Sequence, residues 1–346
     1  MSFRGSRGVA MASLALMALA ALVAVFQPFA SNGGDSVRVV IPGEAGVGDI
    51  AALLDRHGVV SSSALFELRA TLAGDRGDLK PGTYELREDM SYADVLDHLT
   101  AGPSQQIVRV TIPEGLSRRE ITSLVGRAGV SGDYLRASAH TSLIDGRGYG
   151  VPHGAESLEG FLFPATYELR GGARAGGLVR RQVTAFEQNI SRVGLSYARS
   201  KNLTVHDVVT IASMIEREVQ VARERRLVAA VIYNRLKAGQ PLGIDATIRY
   251  ATGNWSRPLT QSELAIDSGY NTRNRAGLPP GPIGNPGLAS LQAAARPARV
   301  DYLYYVVKPG TCGEHAFSST DEAFARDQER YNEAREAAGG KSPTSC

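Results

Sequence analysis

Cysteine is nearly missing from this 346-residue chain. The two present, Cys312 and Cys346, cannot build a disulfide framework, although they could pair with each other in an oxidising compartment. No CxxC or HExxH string occurs, so no metal site is expected. An excess of charge of one sign is also lacking: 38 basic residues stand against 35 acidic ones, a net of +3, far short of the strongly basic face of a nucleic-acid binder. A neutral partner is expected instead. The 38 glycines and 16 prolines follow no period, which excludes a collagen-like chain, and the 43% hydrophobic fraction is enough to fill real cores. At about 100 to 200 residues per domain, the length allows two or three domains.

One long apolar run is present. Residues 9–26, VAMASLALMALAALVAVF, hold Ser13 as their single polar residue and follow Arg4 and Arg7. At about 1.5 Å rise per residue such a run just covers a ~30 Å hydrocarbon core, and the arginines favour a cytoplasmic N-terminus. The expected organisation is a cytoplasmic tail at 1–8, a transmembrane anchor at 9–29 and an exported remainder. A cleaved signal peptide fits less well, because its apolar core is shorter and Pro28 stands where a small residue is wanted.

Past the exit SNGGDS at 31–36, residues 37–42 have strand composition closed by proline, and 47–56 and 64–72 carry the i, i+3, i+4 spacing of helices. Lys80-Pro81-Gly82 turns the chain into an alternating strand at 83–87, followed by a helix at 92–99. Two strings then recur in order: VRVVIP at 37–42 as VRVTIP at 108–113, and PGTYELR at 81–87 as PATYELR at 164–170. We read two related strand-helix-helix-strand units, at 35–103 and 104–170, the second lengthened by an insertion around 140–157. From 171 to 335 the pattern is mainly helical, over 178–186, 205–219, 227–237 and 288–295, with a strand at 302–307 and a charged helix at 321–338; a tail is counted from 336 to 346. The Gly-, Pro- and Asn-rich stretch 239–287 reads as a long loop, and loops of that length are uncommon unless they build a site. The expected fold class is α+β: a single N-terminal transmembrane helix, a small α+β unit, then an α+β domain with a mainly helical core and a loop-built cleft.

The helix over 205–219 begins with Thr204-Val205-His206-Asp207, a capping-box-like start. On a wheel of ~100° per residue its apolar stripe centres near Val208, Ile215 and Val219, and Glu216 and Glu218 fall on opposite shoulders, each roughly 80° away. A carboxyl against such a flank loses hydration, so its pKa rises and it can hold a proton near neutral pH, as a general acid must. A solvated pair exchanging salt bridges with Arg217, Arg223 or Arg225 fits the same spacing. Periodicity does not choose between the two glutamates.

Several strings are more specific. LEGFLFPATY at 158–167, ASMIERE at 212–218, VIYNRL at 231–236, Tyr270-Asn271-Thr272, GLPPGPIGNPG at 277–287 and GEHAF at 313–317, in this order behind an apolar N-terminal run, closely resemble the YceG-like family of endolytic murein transglycosylases. The resemblance extends from the anchor to about residue 330. It implies a LysM-like domain at 35–103 and a YceG-like catalytic domain at 104–335, in which 104–170 echoes the LysM-like unit and 171–335 holds the active-site region. The implied activity is that of a lyase, a lytic transglycosylase that cuts MurNAc–GlcNAc β-1,4 bonds within nascent strands, leaves 1,6-anhydro-MurNAc ends and so terminates glycan elongation. Implied partners are peptidoglycan glycan strands, peptidoglycan synthases and the bacterial inner (plasma) membrane, crossed once, with the N-terminus cytoplasmic and the catalytic domain outside. No nucleic acid and no cofactor is expected.

In that family the second glutamate of the Glu-x-Glu helix is catalytic, which here selects Glu218 and leaves Glu216 as a candidate second carboxylate. One carboxyl can suffice, because it gives a proton to the glycosidic oxygen and then takes one from the sugar's own C6 hydroxyl, with no water entering. Candidate substrate-binding residues are Glu159, Tyr167, Asn234, Asp245, Thr247, Tyr270, Asn271, Asn285 and His315, as aromatic faces for sugar rings and polar groups for hydroxyls and N-acetyl groups. Several also have structural readings: core packing for Tyr167, a turn before Pro286 for Asn285, a helix-end cap for Asn234 and internal hydrogen bonding for His315. The chain departs from the family pattern twice. Ala165 stands where Asp is usual, and Gly243-Ile244-Asp245-Ala246-Thr247 replaces a Gln-Ser/Thr-Asp-Pro-Thr string. Two other readings compete with the lyase: a non-catalytic murein-binding scaffold, and a muramidase with two carboxylates about 5 to 5.5 Å or ~6.5 to 9.5 Å apart, for which Glu159, Glu216 and Asp245 are available partners.

Overall fold

A computed structural model of the chain describes Val23 and residues 34–103, 107–154 and 157–344. Of the expected span at 9–29 only Val23 falls among them, in helical conformation. Among the described residues no helix is long and apolar enough to cross a membrane. The architecture is α+β, in two compact units that divide between residues 106 and 107.

In the first unit, β1 (Ser36–Ile41) runs antiparallel to β2 (Gly82–Arg87), with Val39 opposite Tyr84 and Arg38 opposite Glu85. Alternation puts Val39, Ile41, Tyr84 and Leu86 on one buried face. That face is covered by α1 (Val47–Arg56), α2 (Ser63–Ala73) and α3 (Tyr92–Ala101), through Ile50, Leu54, Phe66, Val95 and Leu99. Ser62 and Ser91 cap α2 and α3 by accepting the N–H of Leu65 and Asp94, each cap worth about 1 kcal/mol.

The second unit opens with the same pairing. β3 (Ile107–Thr111) lies antiparallel to β4 (Thr166–Arg170), with Val110 opposite Tyr167 and Arg109 opposite Glu168. Helices α4 (Arg118–Arg127) and α5 (Tyr134–Ala137) follow β3 as α1 and α2 follow β1. A side-chain detail repeats too: Tyr84 donates to the Lys80 carbonyl and Tyr167 to the Phe163 carbonyl, each four residues back and each at 2.6 Å. The recurring strings therefore occupy equivalent places in two strand pairs.

The remainder of this unit packs around one helix. In chain order come α6 (Ala175–Ile190), α7 (Ser196–Arg199), α8 (Val205–Glu218), α9 (Arg225–Lys237), α10 (Asp245–Thr252), α11 (Gln261–Leu264) and α12 (Leu288–Ala295). Residues Val208 to Ile215 of α8 are all buried, so the helix is enclosed rather than striped on one face; α9, α10 and α12 lie against it. Burial of each Val, Ile or Met there contributes roughly 1.5 to 3 kcal/mol. Its start is fixed by a reciprocal cap, Thr204 accepting the Asp207 N–H while the Asp207 carboxylate accepts from Thr204 N. Its end is abrupt. Val219 turns to φ −95°, ψ 118°, which leaves Glu218 as the last helical residue.

The stretch 239–287, expected as one loop, contains α10 and α11. Gly243 and Gly253, both left-handed at φ +65° and +72°, bracket α10, and an eight-residue helix between such breakers is too short for periodicity to register. The chain closes with a hairpin, β5 (Tyr304–Val307) and β6 (His315–Ser318), and with α13 (Asp321–Ala337). Tyr305 pairs opposite Phe317 and Val307 opposite His315. Cys312, in the hairpin turn, is disulfide-bonded; the other cysteine, Cys346, lies outside the described residues.

Candidate active site

Two helix ends meet at Glu218. It closes α8, and its Oε2 accepts the Tyr305 hydroxyl at 3.1 Å; the N–H of Ala246, in the first turn of α10, lies near enough to lower its pKa, at a helix end where the dipole favours a negative charge. Burial pushes the Glu218 pKa up, the Tyr305 hydrogen bond pulls it down, the nearby Asp245 charge raises it, and His315 and the Ala246 N–H lower it. Desolvation prevails, so the net direction is upward. Part of the residue nevertheless stays open to solvent. A carboxyl held between such opposing influences can carry a proton and can also survive without one.

Behind Tyr305 lies a buried pair. The Tyr305 ring meets His315 edge-on, 5.2 Å between centroids at 87°. The Nδ1 of His315 is 2.7 Å from Glu224 Oε2, and its backbone N–H donates to Glu224 Oε1 at 3.1 Å. Both side chains are almost wholly enclosed, 6% and 5% exposed. Glu224 ends the short 3-10 turn Ala222–Glu224 that carries the chain from α8 to α9.

The neighbouring residues of the Glu-x-Glu string serve other contacts. Glu216 accepts the Gly287 N–H at 3.0 Å, on the approach to α12, and faces Arg225 at 3.6 Å. Arg217 pairs with Glu120 and lies 3.7 Å above the ring of Trp255, the chain's single tryptophan. Asp245 forms an ion pair with Arg273 at 2.7 Å, both half-exposed.

A second group gathers around Glu159. This carboxylate is buried and accepts from the Arg118 N–H, the Tyr250 hydroxyl at 3.1 Å and the Asn285 amide at 3.1 Å. Desolvation pushes its pKa up to about 7 against the hydrogen bonds from Arg118 N–H and Tyr250 and the Arg118 charge. Asn285, fully buried, also accepts from the Leu162 N–H and donates to the Leu116 carbonyl. Tyr270 tilts against Tyr250 at 5.0 Å. With Glu159, His206, Pro280 and Pro282 it lines a cavity of about 720 Å³.

The candidate residues thus fall into distinct places. Glu218, Asp245 and His315 share one cluster; Glu159, Asn285 and Tyr270 share another. Thr247 is buried, its hydroxyl donating to the Ile244 carbonyl and lying 3.0 Å from that of Thr272. Asn271 is buried and donates to the Leu264 and Ile266 carbonyls. Asn234 ties α9 to the segment before β5 through the Val300 and Tyr302 carbonyls. Tyr167 lies on the buried face of β4. At the two departures, Ala165 pairs its carbonyl with the Ile112 N–H, and Gly243 takes its left-handed φ where an added Cβ would come within 3.1 Å of Arg235.

Sequence reasoning missed Tyr305, Glu224 and Tyr250. A signal existed for the first: alternation along 302–307 puts Tyr305 and Val307 on one strand face, and His315 opposite Val307 faces the same way. Glu224 had no such signal, being 91 residues from His315, and Tyr250 lay in the stretch read as loop.

The profile of the YceG-like family matches residues 39–330. The endolytic murein transglycosylase of Streptococcus pneumoniae (strain ATCC BAA-255 / R6) is 32% identical over 309 residues, covering 81% of this chain and 55% of that protein. The chain thus spans about half the length of this pneumococcal relative. The endolytic murein transglycosylase of Bacillus subtilis (strain 168) is 28% identical over 322 residues, covering 89% of this chain and 88% of its own length. A 2.6 Å crystal structure of a yceG-like protein from Listeria monocytogenes superposes with a TM-score of 0.57 at 29% identity, covering 84% of this chain and 98% of that one.

Proposed function

The chain belongs to the YceG-like family, and from that premise and the setting of Glu218 we propose that it is an endolytic peptidoglycan lytic transglycosylase. Glu218, protonated, gives its proton to the glycosidic oxygen between MurNAc and GlcNAc. As a carboxylate it then takes the proton of the C6 hydroxyl, whose oxygen closes on the anomeric carbon to give a 1,6-anhydro-MurNAc end. The observation that carries this reading is the balance at Glu218: burial favours the acid, while Tyr305, Ala246 N–H and His315 keep the conjugate base accessible. Such poise suits one group that serves as acid and then as base.

Roles for the other candidates follow from their contacts. Asp245 and His315 act on Glu218 through charge, and Tyr270 offers a ring face to the glycan from the cavity wall. Asn234, Asn271, Asn285, Thr247 and Tyr167 hold the walls, since their polar atoms already have partners. The run at 9–29 anchors the enzyme in the plasma membrane with its catalytic domain outside, on the strength of the sequence alone. Residues 35–103, a LysM-like unit, position the strand.

One observation favours a second reading. Asp245 is close enough to raise the Glu218 pKa, so the two could act as the carboxylate pair of a muramidase. Digestion of purified glycan strands in oxygen-18 water separates the readings by mass spectrometry. Unlabelled anhydro ends are expected; labelled reducing ends would install the muramidase, and no new ends at all would leave a murein-binding scaffold.

A further inference from the structure

The hairpin behind Glu218 has entered so far only through its electrostatic influence on that carboxyl. Tyr305 and His315 come from paired strands, diagonal to each other across the register that sets Val307 opposite His315 and Tyr305 opposite Phe317. Phe317 completes the face, 6.1 Å from each of the other two rings. His315 is itself clamped twice by Glu224, through Nδ1 and through its backbone N–H. Glu224 is only six residues from Glu218 in sequence, but past the turn at Ala222–Glu224 it meets His315 rather than Tyr305. The chain of contacts Glu224, His315, Tyr305, Glu218 therefore begins and ends on one continuous segment and passes through another.

We propose that Tyr305 is a positioning residue for Glu218, holding the carboxyl plane through its hydroxyl, and that the buried Glu224–His315 pair holds Tyr305. This inference rests on the lytic transglycosylase reading of Glu218. A carboxyl that must protonate an oxygen and later collect a proton from a different hydroxyl has to stay in one place through both steps, and misplacement of about 1 Å can cost on the order of a hundredfold in rate. Glu218 is at the end of a helix, where the last turn has lost its outward hydrogen bonds, so an external tether is needed. The other charged and titratable groups that face Glu218 and Tyr305 are Asp245 from α10, Arg235 from α9 and His315 from β6.

The test uses the full chain and three variants. Tyr305→Phe keeps the ring and its packing while removing the hydroxyl. It is expected to fold and to bind glycan strands as the parent does, yet to lower turnover about ten- to a hundredfold, the loss that corresponds to a hydrogen bond to a charged group. The alkaline limb of its rate profile is expected to move to higher pH, because a donor that favoured the ionised carboxylate is gone. Glu224→Gln leaves Tyr305 untouched and is expected to lower turnover in the same direction, with a smaller shift. Unchanged turnover and an unchanged pH profile in Tyr305→Phe would overturn the proposal, as would a loss confined to glycan affinity. Glu218→Gln separates this from the underlying reading: if it retains activity the assignment of Glu218 fails, whereas an inactive Glu218→Gln beside a parent-like Tyr305→Phe removes the positioning role alone.

Discussion

Glu216 and Glu218 are separated by one residue, yet their carboxyls meet different parts of the domain: Glu216 takes the Gly287 N–H and Arg225, and Glu218 takes the Tyr305 hydroxyl beside the first turn of α10. On a helix, neighbours two apart point to different faces. Here one face meets the approach to α12 and the other meets the hairpin and α10. The same spacing that left the two glutamates equivalent on a helical wheel separates their tasks in three dimensions.

Glu216→Gln should therefore act on stability. The amide still accepts the Gly287 N–H, but Arg225 loses its anionic partner in a largely buried setting. The expected cost is roughly 1 to 3 kcal/mol, partly offset by relief of the charge that raises the Glu114 pKa after burial. Urea unfolding measures it, and activity at a temperature well below the transition should stay within a few-fold of the parent.

Glu159 predicts a pH dependence of stability. Its carboxyl is driven by desolvation from the ordinary 4.5 to about 7, so between those values the folded chain binds a proton that the unfolded chain has released. Stability contributed by this group is then present below pH 4.5 and lost as pH rises through about 7. The size is about 3 kcal/mol. Glu159→Gln, neutral throughout, should flatten that slope in unfolding curves taken from pH 5 to pH 8; an unaltered slope would mean that the charge is better solvated than its burial indicates.

Asn285 is a joint between three segments. Its side chain serves Leu162, Leu116 and Glu159 with no exposure to solvent. Asn285→Ala leaves a buried N–H, a carbonyl and a carboxylate short of partners and should cost about 3 kcal/mol or more. Asn285→Asp, which places an acid beside Glu159, should be worse at pH 8 than at pH 5. Thermal melts at the two values distinguish the pair.

Much of this architecture was legible in the residue order. VRVVIP and VRVTIP, with PGTYELR and PATYELR, announce two strand pairs of one design, and alternation shows which residues share a face; the register that opposes Val39 to Tyr84 and Val110 to Tyr167 comes from the structure. Thr204 and Asp207 mark the start of α8 because a cap is a local device. Its end at Glu218 was placed to within a residue. What stayed hidden was non-local. The depth of Glu159 comes from Tyr250 and Asn285, 91 and 126 residues away, and the grip of Glu224 on His315 spans another 91. No periodicity encodes such pairings. A wheel could place Glu218 on a shoulder of the apolar stripe; that Tyr305 and the first turn of α10 would meet it there depends on how the hairpin and the 239–287 stretch fold back.

The central claim is that one carboxyl performs both proton transfers. The most direct measurement compares the parent with Glu218→Gln on purified glycan strands, with released ends analysed by mass spectrometry and binding followed by co-sedimentation. The account predicts anhydro-MurNAc ends from the parent, none from the variant, and equal binding and melting behaviour for both. Anhydro ends released by Glu218→Gln at the parent's rate would contradict it.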